Sequence, residues 1–136
     1  MAKPNSRTRS VRNHHVPIRV VFVEDEQLLG ELMASTLMTF GFDVLALESA
    51  TAALRHMETE ATVDLLFTDV ILPGGMDGAE LAVRARALRP EMPIVYASAY
   101  RTASDIDPLM PRSIFVPKPN DPLDLCALFS RIAVAH

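Results

Sequence analysis

The chain has 136 residues, 49% hydrophobic and 22% charged, which suits one soluble domain built on a single core. Its formal net charge of −4 is unevenly spread: residues 1–17 carry +4 from Lys3, Arg7, Arg9 and Arg12, so the remainder carries −8, an acidic body that argues against nucleic acid as the main partner. The single cysteine, Cys126, excludes an intrachain disulfide; with no apolar run long enough for a membrane span and no apolar segment behind the basic N-terminal residues, a cytoplasmic location is expected.

Residues 1–17 are polar and proline-containing and are expected to form a disordered basic tail, with His14 and His15 solvated rather than metal-binding. Ile18–Val23 is a β-branched run that ends on Glu24-Asp25-Glu26. A helix is expected from about Glu26 to Phe40, with Leu28, Leu29, Leu32, Met33, Leu37 and Phe40 as its apolar face and Gly41 as its stop. Phe42–Leu47 reads as a short strand, and Ser49 as the N-cap of a helix from Ala50 to about Glu60, with Ala53, Leu54 and Met57 inward. Exposed His56 has no metal-spaced companion.

Val63–Thr68 is an apolar run of the kind buried on both faces, closed by Asp69 and a Pro73-Gly74-Gly75 turn. Gly78–Leu88 reads as a helix with Leu81, Ala82, Ala85 and Leu88 inward, ended by Pro90 and Pro93. Ile94–Ala97 is a fourth strand, ending on Ser98, and Ser113–Val116 a fifth, ending near Lys118. Arg101–Arg112, with Pro108 and Pro111, supports only a short or irregular helix. Asp121 caps a last helix through about Val134, with Leu125, Leu128, Phe129 and Ile132 on one face and Cys126 as a small buried hydrophobe.

Alternating strands and helices call for an α/β fold, a doubly wound five-stranded parallel sheet in the order 2-1-3-4-5. That order makes strands one and three neighbours, so Glu24, Asp25 and Asp69 meet at one sheet edge, joined by Ser98 and Lys118. Packed carboxylates raise one another's pKa unless a cation neutralises them, and a hard ion with oxygen ligands such as Mg²⁺ is the natural solution. A nucleophilic carboxylate, a metal, a hydroxyl and a point positive charge together suit phosphoryl transfer.

The four strand-end pieces VFVEDE (21–26), LLFTDVILPGGMDG (65–78), VYASAY (95–100) and FVPKP (115–119), in that order, resemble the receiver domain of two-component response regulators across residues 18–134. The resemblance implies a flavodoxin-like receiver over residues 18–135, with Asp69 as phosphoacceptor from a phosphohistidine of a sensor histidine kinase or phosphotransfer protein. It further implies Mg²⁺ bound by Asp25, by Glu24 through water, by Asp69 and by the backbone carbonyl of Ile71. Ser98 and Lys118 would hold phosphoryl oxygens, Ser98 and Phe115 would act as the switch, and the peptide before Pro119 would be cis. Ile71 and Tyr100, both bulky, would tune dephosphorylation by shielding the acyl phosphate, while the Gly74-Gly75 pair lengthens the loop in the manner of receivers attached to hybrid sensor kinases.

The expected function is that of a single-domain response regulator in a phosphorelay, switching a protein-binding surface, with phosphorylation-dependent dimerisation left open. It would not be an enzyme beyond catalysing its own phosphorylation and dephosphorylation. Two alternatives stand beside it: a phosphorylation-independent binding module, and a Mg²⁺-dependent phosphohydrolase. Ile71 counts against the second, because such enzymes carry another aspartate two residues after the nucleophile.

Overall fold

The computed structural model describes residues 16–98 and 112–135. The expectations for the tail before residue 16, for Tyr100 and for the helical character of residues 101–111 lie outside the described residues. Five parallel strands, β1 (Arg19–Val23), β2 (Asp43–Leu47), β3 (Leu65–Asp69), β4 (Ile94–Ser98) and β5 (Ser113–Pro117), stand in the order β2-β1-β3-β4-β5. The described helices are α1 (Gln27–Thr39), α2 (Ala50–Met57), α3 (Gly78–Leu88) and α4 (Pro122–Ala135), and none is long and apolar enough to cross a membrane.

The two-residue period of the strands divides the core into two layers. Val21, Val23, Leu66, Ile94 and Tyr96 face α2 and α3, where they meet Ala53, Met57, Leu81 and Ala85. Val20, Phe22, Leu65, Phe67 and Val95 face the other way, toward Leu37, Leu125 and Phe129. The second layer is aromatic at its centre: Phe22 stacks on Phe67 with centroids 4.8 Å apart, and Phe129 meets Phe67 edge-on at 5.2 Å, both within the favourable range for ring pairs. Strands β3 and β4 are buried at every position, as their unbroken apolar runs require.

Helix α1 departs from expectation. It buries Gly30, Ala34 and Leu37, with Met33 partly covered, while Leu28 is 80% exposed, Leu32 64% exposed, and Leu29 and Phe40 also face solvent. The small residues let this helix lie close to the sheet, and a Cβ on Gly30 would sit 3.5 Å from the Glu24 side chain. In α3 the expected inward Leu88 is exposed, and Arg86 is buried instead, donating from its guanidinium to the Arg112 carbonyl oxygen at 3.3 Å. Ser49 caps α2 as expected, accepting from the Ala52 amide at 3.1 Å. Cys126 is partly buried, and desolvation pushes its thiol pKa up, consistent with an inert side chain. His56 is half-buried rather than exposed.

Candidate functional site at the carboxyl edge of the sheet

β1 and β3 are adjacent, with Val23 opposite Thr68, so the residues that follow Val23 reach the edge where β3 ends. Glu24 and Asp69 are 4% and 5% exposed, whereas Asp25 is open to solvent. One carboxylate oxygen from each of Glu24, Asp25 and Asp69 lies within 4.8 Å of the others. β5 ends beside β4, with Pro117 opposite Ser98, and the Lys118 amide donates to the Ser98 carbonyl oxygen at 3.0 Å. That pairing directs the Lys118 side chain into the acidic group, where Nζ lies 2.8 Å from Asp69 Oδ1 and 2.9 Å from Glu24 Oε1.

The electrostatics follow from burial. The pKa of Asp69 is raised to about 7, chiefly by desolvation, with Lys118 opposing the rise and the charge of Glu24 reinforcing it. Burial alone would lower the basicity of Lys118, but its contacts with Asp69 and Glu24 outweigh this and raise its pKa. One ammonium thus serves two buried carboxylates.

A divalent cation fits this donor set. The three carboxylates supply hard oxygen ligands, and Asp69 Oδ1 is buried without an aligned hydrogen-bond donor, so it retains acceptor capacity despite the nearby ammonium. Glu24, Asp25 and Asp69 would hold the ion.

A cleft of about 370 Å³ opens over the group, lined by Glu24, Asp25, Asp69, Ile71, Ser98 and Lys118, with Leu29 at its edge. The structure therefore brings together the expected acidic residues, the hydroxyl residue, the lysine and Ile71, which is 50% exposed. Phe115 lies in β5 opposite Tyr96, partly buried against the α2–α3 layer. The Lys118–Pro119 peptide is cis, as expected.

Comparison with known proteins decides the family. The model of the response regulator receiver domain matches residues 20–130. This chain is a receiver domain of the response regulator family. The curated relatives include the response regulator protein FleR of Pseudomonas aeruginosa, 38% identical over 82 residues, covering 60% of this receiver and 17% of FleR. The regulatory protein VanRc of Enterococcus gallinarum is 31% identical over 113 residues, covering 80% of this receiver and 47% of that protein. The receiver thus spans less than half the length of these two relatives. Among solved structures, a response regulator receiver protein from Sinorhizobium medicae superposes with a TM-score of 0.81 at 30% identity, covering 88% of this chain and 96% of that one. The receiver domain of the hybrid histidine kinase CckA gives 0.72 at 34% identity, covering 85% and 98%.

Sequence reasoning missed two contributors to the site, Leu29 and Gly78, and one contact of a residue it had placed there, Lys118. Leu29 was expected in the core and instead borders the cleft. Lys118 was expected to meet a phosphoryl oxygen, but its bridge to Glu24 was not foreseen. Gly78, the first residue of α3, packs directly on the Asp69 backbone, and only its place after Asp77 in the MDG piece hinted at a special position.

Proposed function

We propose that Asp69 accepts a phosphoryl group from the phosphohistidine of a sensor kinase or phosphotransfer protein, and that the modified receiver changes its affinity for a protein partner. The observation that carries this reading is the convergence of Glu24, Asp25 and Asp69 with Lys118 at the carboxyl edge of the sheet. An ionised Asp69 oxygen attacks phosphorus, the phosphorus–nitrogen bond of the donor breaks, and the imidazole leaves with the bonding pair. The product is an acyl phosphate. Bound Mg²⁺ would supply charge neutralisation for the transferring phosphoryl oxygens and favour the ionised carboxylate. In this reading Lys118 pairs with a phosphoryl oxygen once Asp69 carries one, and the Ser98 hydroxyl donates to another.

In this reading Ser98 and Phe115 carry the switch: the added charge draws Ser98 inward and lets Phe115 repack. Ile71 has no proton-transfer group, which favours a persistent acyl phosphate over turnover of an external phosphoester, so the protein acts as a signalling switch and not as a phosphohydrolase. A cytoplasmic, single-domain role in a phosphorelay belongs to the same proposal.

Phosphotransfer from radiolabelled, purified histidine kinases and phosphotransfer proteins tests the proposal. Label should pass to this protein within minutes from a cognate donor and should be lost with Asp69→Asn. Protein binding that needs no label transfer would favour the phosphorylation-independent module, and steady hydrolysis of a generic phosphoester would favour the phosphohydrolase.

A further inference from the structure

The side chains around Asp69 account for its charge but not for the placing of its backbone. Thr68 precedes it and is 0% exposed. A buried hydroxyl must find a partner, and here Oγ1 donates at 2.9 Å to the carbonyl oxygen of Asp69 itself. On another side of the same peptide stands Gly78. A Cβ at that position would overlap the Asp69 carbonyl oxygen and lie 2.8 Å from its carbonyl carbon and 3.1 Å from Val70 Cα.

Gly78 cannot simply move away. Its amide donates to the Val70 carbonyl oxygen at 2.8 Å, and its helix is pinned by Asp77, whose side chain accepts from the Glu80 amide at 2.9 Å. The Val70 amide is in turn held by the Ala97 carbonyl oxygen at 3.0 Å, continuing the β3–β4 ladder past Asp69.

We propose that Thr68 and Gly78 are positioning residues that clamp the Asp69 peptide group and so fix the carboxylate against Lys118 and the cation ligands. The inference rests on the phosphoacceptor reading of Asp69. Productive geometry tolerates displacements of only about 0.5 Å, so a shift of the Asp69 peptide reaches the carboxylate directly. Neither residue touches the transferring group; both act through the backbone of Asp69.

The test compares Thr68→Val, Thr68→Ser and Gly78→Ala with the wild type and with Ala53→Gly, a destabilising change in the buried face of α2 that does not line the cleft. Each protein is checked for folding by thermal unfolding, then phosphorylated with acetyl phosphate at saturating Mg²⁺ to separate maximum rate from apparent KM. Mg²⁺ affinity is measured by calorimetry. Thr68→Val and Gly78→Ala should lose about 10- to 100-fold in maximum rate, the scale of an ångström-sized misplacement, while Ala53→Gly stays near wild type. Thr68→Ser should restore most of the rate, because it restores the donor. The clamp is refuted if Thr68→Val phosphorylates at the wild-type rate, or if Thr68→Ser is as slow as Thr68→Val. Should Gly78→Ala fail to fold, the Thr68 pair decides. A wild-type protein that takes no phosphoryl group from any donor overturns the phosphoacceptor reading, and the clamp's role with it; a wild type that is modified while all variants match it overturns the clamp alone.

Discussion

The ammonium of Lys118 lies 2.8 Å from the carboxylate of Asp69, although Asp69 closes β3 and Lys118 follows β5, two strands that are not neighbours in the sheet. The same ammonium reaches Glu24 at 2.9 Å. This bridge holds two carboxylates that are themselves almost fully buried, where an unpaired charge is costly. Lys118→Met should therefore destabilise the protein by about 1–3 kcal/mol at pH 8. The loss should shrink at pH 5.5, where protonation of Asp69 removes one of the two negative charges. Urea denaturation at both pH values checks this, and equal losses would contradict the bridge as the source of the effect.

Asp69 itself makes stability depend on pH. Its native pKa of about 7 lies above the 3.8 of an ordinary aspartate, so between these values the native state binds more protons than the unfolded chain. Its contribution therefore declines as pH rises from about 4 to about 7. Asp69→Asn removes that decline. The variant should gain on the order of 1 kcal/mol over the wild type at pH 8, well below the ceiling of about 4 kcal/mol set by the full displacement, and the gain should fade toward pH 4. Thermal unfolding of both proteins across this range gives the difference directly.

A divalent cation should reverse that strain. At a Mg²⁺ concentration of about 100 times the dissociation constant, binding to the native state adds about 2.7 kcal/mol and several degrees in Tm. Asp25→Asn removes a solvent-facing ligand without disturbing the buried pair, so it should keep the wild-type Tm without Mg²⁺ and lose most of the Mg²⁺-dependent rise. An undiminished rise in Asp25→Asn would remove this residue from the metal site.

Ile71 is half exposed at the rim of the cleft and lacks any group that could orient water. Ile71→Asn introduces one. After the phosphodonor is removed, the variant should dephosphorylate about tenfold faster, equivalent to about 1.4 kcal/mol in the barrier. An unchanged decay would mean that Ile71 does not shield the acyl phosphate.

The site was legible in the sequence because its parts are chemically out of place. Glu24, Asp25, Asp69, Ser98 and Lys118 each close or follow an apolar run, and strict strand–helix alternation allows few ways to arrange those runs. What failed was the face of α1. Counting large apolar side chains put Leu28, Leu29, Leu32 and Phe40 inward, whereas the helix packs through Gly30, Ala34 and Leu37. Spacing alone does not distinguish a face of leucines from a face of small residues that admits closer approach, and here the space beside Gly30 is taken by Glu24. Leu88 and Arg86 exchanged places for a related reason: a buried arginine is allowed where a backbone carbonyl, that of Arg112, accepts from it, and no local pattern announces a partner 26 residues away. The clamp of Thr68 and Gly78 is equally invisible in the sequence, since a hydroxyl and a glycine beside a carboxylate have many ordinary explanations.

Incubation with acetyl phosphate and Mg²⁺, followed by intact mass measurement, tests the central claim most directly. The wild type should gain the mass of one phosphoryl group, and Asp69→Asn should gain none. The same gain in Asp69→Asn, or no gain in the wild type with any phosphodonor, would contradict Asp69 as the phosphoacceptor.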